Sequence, residues 1–126
     1  MKEFKIFVSN KPGELARVTE ALATHAVNIR ALTSEGGSPK AFLRVVTGDV
    51  ATTEKALKGA GLPFELSEIL DLELMDRPGE LAKIARRLAR QGVNVESIYI
   101  LGTKNGKTQI AMNVSDLKRA REAVGG

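Results

Sequence analysis

The chain has 126 residues, 43% hydrophobic and 27% charged, the balance of an ordinary globular protein. Its net charge of +4 is dispersed: nine Lys/Arg against six Asp/Glu in residues 1–63, and ten against nine in residues 64–126. That excess is too mild to point to a nucleic-acid partner. The absence of cysteine excludes disulfides, thiolate catalysis and thiolate metal sites. No apolar run approaches the ~18 residues of a membrane span, and Met1-Lys2-Glu3-Phe4 enters a strand pattern with no signal-peptide core. A cytoplasmic protein with no membrane partner is expected.

Residues 3–8 read as a strand, broken by Asn10-Lys11-Pro12-Gly13. A helix follows, with Leu15, Val18 and Leu22 predicted on one face and Glu14, Arg17, Glu20 and Thr24 turned elsewhere. Pro12 suits its start, where a missing N–H costs nothing. Residues 28–33 read as a second strand, Gly36-Gly37-Ser38-Pro39 as a loop and residues 41–47 as a third strand. Thr52 and Thr53 are candidate caps of a second helix ending near Lys58, before Gly59-Ala60-Gly61. Residues 64–69 alternate as a fourth strand. This order, βαββαβ, is the ferredoxin-like pattern.

A second unit begins at once with the alternating stretch Asp71–Met75. Its first helix places Leu81, Ile84, Ala85 and Leu88 on one face and Lys83, Arg86, Arg87 and Arg90 on the other. Strands near 94–101 and 107–114 flank Asn105-Gly106, a hairpin signal because a type I′ turn needs positive φ at both central residues. A helix over 116–124 closes the unit, which lacks a fourth strand. The predicted fold class is therefore α+β: two tandem ferredoxin-like units, residues 1–69 and 70–126, the second without its last strand. The strand near 70–75 would then lose a neighbour, and an open strand edge is a template for pairing.

The two units repeat each other in sequence. Pro12-Gly13-Glu14-Leu15-Ala16 recurs as Pro78-Gly79-Glu80-Leu81-Ala82, Leu22-Ala23 as Leu88-Ala89, and Val27-Asn28 as Val93-Asn94, all at an offset of 66. Catalytic groups are scarce. His25 is the single histidine and stands near a helix end, so no hydrolytic triad can be built, and no phosphate loop or metal motif occurs. No enzyme activity and no cofactor are expected. RNA-recognition folds share the strand order but display stacking aromatics on their central strands. The two third strands here hold only Phe42, and the Lys83/Arg86/Arg87/Arg90 stripe reads as a solvated helix face.

The Pro-Gly turn remains. Glycine permits close approach, and the helix-start N–H groups favour an anion such as a carboxylate. Asn10 in one repeat and Asp76 in the other stand beside the turn in sequence. Asn28 and Asn94 begin the next strand, which the helix length is expected to bring back to the turn. Together these would form a clamp for an α-amino acid. In the alternative, Pro-Gly is only a tight connection, Asn28 and Asn94 are only turn residues, and Glu14 and Glu80 only complement the helix dipole.

The segments Asn10–Ala16 with Val27-Asn28-Ile29, and Asp76–Ala82 with Val93-Asn94-Val95, resemble the signature of ACT domains, small regulatory modules of amino-acid metabolism. The resemblance spans nearly the whole chain, in tandem, and a stand-alone protein without an enzyme domain is expected. It implies ligand binding at ACT–ACT interfaces by the Pro-Gly turn and the Asn that opens the second strand. Carried over, the ligand-binding candidates are Asn10, Pro12, Gly13, Glu14, Leu15, Asn28 and Ile29, and Asp76, Pro78, Gly79, Glu80, Leu81, Asn94 and Val95. The expected function is a non-catalytic regulator that binds an amino acid, forms a homodimer and acts on an enzyme of amino-acid metabolism in trans. A ligand-free assembly module is the alternative.

Overall fold

The computed structural model describes residues 1–35 and 41–125. The loop expected at Gly36–Pro39 lies outside them. The chain divides into two compact units, Met1–Ser67 and Glu68–Gly126.

In the first unit, strand β1 (Lys2–Val8) leads to helix α1 (Glu14–Thr24), strands β2 (Ile29–Glu35) and β3 (Ala41–Thr47), helix α2 (Val50–Gly59) and strand β4 (Phe64–Glu68). The sheet order is β2-β3-β1-β4, which is ferredoxin-like. β1 runs antiparallel to β3 from Lys2↔Thr47 to Val8↔Ala41. Alternation puts Phe4, Ile6, Leu43 and Val45 on one face, where they form a core with Val18 and Leu22 of α1 and Ala56 and Leu57 of α2. On the other face the Glu3 carboxylate accepts a bond from Arg44 Nη1 at 2.8 Å, and Lys5 Nζ stands 4.4 Å from the centre of the Phe42 ring.

The second unit repeats this with one strand fewer among the described residues: β5 (Leu70–Met75), α3 (Glu80–Arg90), β6 (Val95–Lys104), β7 (Lys107–Val114) and α4 (Leu117–Gly125). Its sheet order is β5-β7-β6, so β5 is an end strand where β1 is central. Leu70, Ile110 and Met112 form the core with Ile84, Leu88 and Ala120. Asn105 and Gly106 both take positive φ, 54° and 75°, as the hairpin signal requires.

The sequence offset of 66 extends through Glu14/Glu80 and Ile29/Val95. Beyond the hairpins it becomes 67. Ile6 pairs with Leu43 where Leu72 pairs with Ile110, and the helix caps are Asp49 and Asp116. One added residue within β6, at the bulge between Ile100 and Gly102, accounts for the shift.

Three expectations on the helices are corrected. Helix α2 is capped by Asp49, whose Oδ1 accepts from the Thr52 N–H at 3.1 Å, and not by Thr52 or Thr53. Thr53 is instead wholly buried, its hydroxyl 2.8 Å from that of Thr47 and bonded to the Asp49 carbonyl. Leu15 and Leu81, placed on core faces by periodicity, are 50% and 42% exposed, and Ala85 is exposed too. Glu14, expected to turn outward, is buried. The first helical turn projects its leucine past the core, so the stripe begins one turn later at Val18 and Ile84.

Leu22 and Leu88 are fully buried helix leucines at equivalent places in the two cores. Truncating either to alanine should cost about 2–5 kcal/mol in urea unfolding, because each leaves a cavity between helix and sheet.

Candidate functional site

Each unit makes the same transition from strand to helix. Beyond β1 and β5 the chain turns through Gly13 and Gly79, which hold φ of 94° and 89° and stand at the N-cap positions of α1 and α3. No side chain caps either helix start, so the amide groups that a Ser or Asp would satisfy have no side-chain partner. A Cβ at either glycine would meet no heavy atom within 4 Å. The positive φ, not crowding, is therefore what reserves these positions for glycine.

A cleft opens beside each turn, bounded by equivalent residues. In the second unit it measures about 180 Å³ and is lined by Leu74, Met75, Asp76, Arg77, Glu80 and Leu81, with Ile100, Thr103, Thr108 and Ile110 on the sheet side. In the first unit it measures about 110 Å³, with Asn10, Lys11, Glu14 and Leu15 at the turn and Ser34, Glu35 and Leu43 among its sheet residues. Asn10 and Asp76, which stand beside the turn in sequence, are among the residues lining the two clefts. Asp76 is fixed through its backbone, its N–H donating to the Gly106 carbonyl at 2.8 Å.

The Asn residues are elsewhere. Asn28 immediately precedes β2, whose first residue Ile29 pairs with Thr47, level with Lys2 and at the opposite end of the sheet from Val8. Asn94 likewise precedes Val95↔Val114, at the Leu70 end of its sheet, while the turn leaves from Met75↔Lys107. The helix carries the chain away from the turn, and the next strand starts at the far end, roughly 20 Å off by strand rise. The expected clamp of turn plus its own Asn does not form within a unit. Asn94 is held locally: its N–H donates to Ser115 Oγ at 2.9 Å and its Nδ2 to Glu96 Oε1 at 3.2 Å. Ile29 and Val95, which follow, are half-buried at those same ends. Pro12 and Pro78 are exposed and precede the N-cap glycines, so Pro12 lies just outside the helix and not in its first turn as expected.

The two equivalent carboxylates differ electrostatically. Glu80 Oε1 accepts from Arg77 Nε at 2.7 Å and from Lys83 Nζ at 3.2 Å. The Arg77 bond first, and the Lys83 bond second, hold its carboxyl below the usual carboxylate range. Glu14 has only longer ion pairs, 4.0 Å to Lys11 and 3.7 Å to Arg17, and its Oε2 is buried with no hydrogen-bond donor in the protein. The burial of Glu14 and the apolar wall at Met75 and Ile100 were not read from the sequence. The signal for the wall was present, since two apolar residues stand on the second unit where Ser9 and Ser34 stand on the first. For Glu14 there was none, because both carboxylates share one motif position.

Among the described residues no group of three or more His, Asp or Glu is placed to hold a metal ion. His25 is exposed at the end of α1, its Nδ1 3.1 Å from the Ala21 carbonyl oxygen. No helix among the described residues is long and apolar enough to cross a membrane.

A group whose folded pKa is depressed stabilises the fold above its unfolded pKa, about 4.3 for Glu, and loses that contribution as pH falls through the folded value. Glu80→Gln should therefore lower Tm at pH 7, and the deficit against the parent should shrink steadily between pH 5 and pH 3 in thermal melts.

A family model described as an ACT domain pair matches residues 1–124. Among solved structures, protein BT0572 from Bacteroides thetaiotaomicron is 28% identical, with a TM-score of 0.87 over 98% of this chain and 85% of that one. The regulatory subunit of aspartate kinase from Thermus thermophilus, in its ligand-free form, is 20% identical, with a TM-score of 0.69 over 98% of this chain and 87% of that one. The corresponding subunit from Thermus flavus is 21% identical, with a TM-score of 0.60 over 98% and 90%. At such identities the two kinase subunits share the fold with this chain. No curated protein matches the sequence. Matched over both units by a single family model, the chain belongs to the family of paired ACT domains, a regulatory architecture.

Proposed function

We propose that this protein is an amino-acid-binding regulator, without catalytic activity of its own, that works in the cytoplasm as a homodimer on an enzyme of amino-acid metabolism. The observation that carries the reading is the repeated turn: a left-handed glycine, an uncapped helix start and an adjoining cleft, built twice from equivalent residues. Uncapped amide groups suit a carboxylate, and Asn10 or Asp76 in the cleft lining suits an ammonium. The fold shared with aspartate kinase regulatory subunits supports a role on an enzyme of this class.

Because turn and Asn lie at opposite ends of one unit, a ligand that uses both is held by the turn of one module and the Asn of another, which in the homodimer reading comes from a second chain. The end position of β5 in its sheet supports pairing with such a copy. The ligand would then be part of the dimer contact and would couple occupancy to assembly.

A thermal-shift panel of the twenty amino acids, with light scattering on the same samples, tests this reading. At least one amino acid should raise Tm, since a ligand that binds only the folded state stabilises it. The scattering should report a dimer. Asn94→Ala, or its counterpart Asn28→Ala, should weaken calorimetric binding by about 1–3 kcal/mol with the melt of the free protein little changed. If a dimer forms but no amino acid binds at millimolar concentration, the assembly reading replaces this one.

A further inference from the structure

The two clefts stand in the same place and differ in chemistry. Ile100 pairs with Ile110, and Ile110 with Leu72; Ser34 pairs with Leu43, and Leu43 with Ile6. Ile100 and Ser34 are therefore one structural position, and Met75 and Ser9 another. Ile100 is 69% exposed and Met75 47% exposed, the two most exposed of the large apolar residues beside this cleft, with Leu81 at 42%. In the first unit the same positions are hydroxyl-bearing, and Glu35 adds a carboxylate.

The polar side chains of the second cleft other than Asp76 are already engaged with one another. The Thr103 and Thr108 hydroxyls face each other at 3.2 Å. Glu80 is held by Arg77 and Lys83. What remains for a ligand to touch is the apolar wall of Leu74, Met75, Leu81, Ile100 and Ile110, together with Asp76. The volume of about 180 Å³ is near that of an apolar protein cavity of about 150 Å³ that holds benzene. A leucine-sized side chain matches that space, and covering Ile100 and Met75 removes apolar surface from water at about 25 cal/mol per Å².

We propose that the cleft beside Gly79 selects an α-amino acid with an aliphatic or thioether side chain, such as leucine, isoleucine or methionine, and that the cleft beside Gly13 does not. This rests on the amino-acid reading of the turns and adds the side-chain class and the inequivalence of the two sites. The chain binds one such ligand, at the second unit, with its ammonium toward Asp76 and its side chain against Ile100 and Met75. The first cleft, lined at these positions by Ser9, Ser34 and Glu35, disfavours an aliphatic group, because these polar groups would lose water with no partner in return.

Calorimetric titration of the whole chain with leucine, isoleucine, methionine, serine, aspartate and lysine tests the inference. It is run on the parent and on Ile100→Ser and Met75→Ser, which install the first unit's residues. Both positions are exposed, so the fold should survive, and circular dichroism melts check that it does. The expected result is aliphatic binding at one site per chain, weakened by about tenfold or more in each variant. Ser34→Ile should leave that binding unchanged. Binding of only serine, aspartate or lysine, or aliphatic binding unaffected by both serine variants, overturns this inference and leaves the amino-acid reading standing. No binding by any of the twenty amino acids overturns both.

Discussion

A strand leaving the sheet at Val8 or Met75 must reverse into a helix within a few residues, and in both units a glycine in the left-handed region makes that reversal. An L-residue there would carry roughly 1–2 kcal/mol of strain. The turn fixes three things at once. It sets the direction of the helix across the sheet, and hence which residues join Phe4 and Ile6, or Leu70 and Ile110, in the core. It leaves the helix start without a side-chain cap. It also lifts the first-turn leucine, Leu15 or Leu81, off the core and to the edge of a cleft. Core and candidate site are thus two results of one backbone conformation.

The duplication preserved that conformation and let the surroundings diverge. The carboxylate after each glycine has close basic partners in the second unit and only distant ones in the first. The walls diverged in parallel, from Ser9 and Ser34 in one unit to Met75 and Ile100 in the other. Two turns of equal geometry therefore border clefts whose walls differ in polarity at these two positions. A duplicated regulatory module can in this way retain two folded units while committing them to different ligands, or one of them to none.

The parts legible in sequence were those set by local chemistry. The repeat, the strand order and the Asn105-Gly106 hairpin follow from turn residues and periodicity, and the structure agrees. The parts not legible depend on where one element ends against another. Periodicity cannot tell that the core stops a turn after Leu15 and Leu81. Capping propensity ranks Asp above Thr, so Asp49 was the better cap candidate than Thr52 or Thr53, and the structure draws Thr53 inward to Thr47. The position of Asn28 and Asn94 was missed by following chain length and not chain direction: a helix that leaves the turn delivers the next strand to the sheet's far end. As for the site, Asn10 and Asp76 line the clefts beside the glycine turns, whereas the Asn pair can join them only from another module.

The central claim is that the glycine turn and its cleft, not some other surface, receive the ligand. An amide-resolved NMR titration of the isotopically labelled chain with leucine tests it most directly. The account predicts saturable shifts concentrated at the backbone N–H groups of residues 76–82 and along residues 98–103, with residues 9–15 unmoved by comparison. Saturable shifts that spare residues 76–82 and gather on α2 or α4 would contradict it.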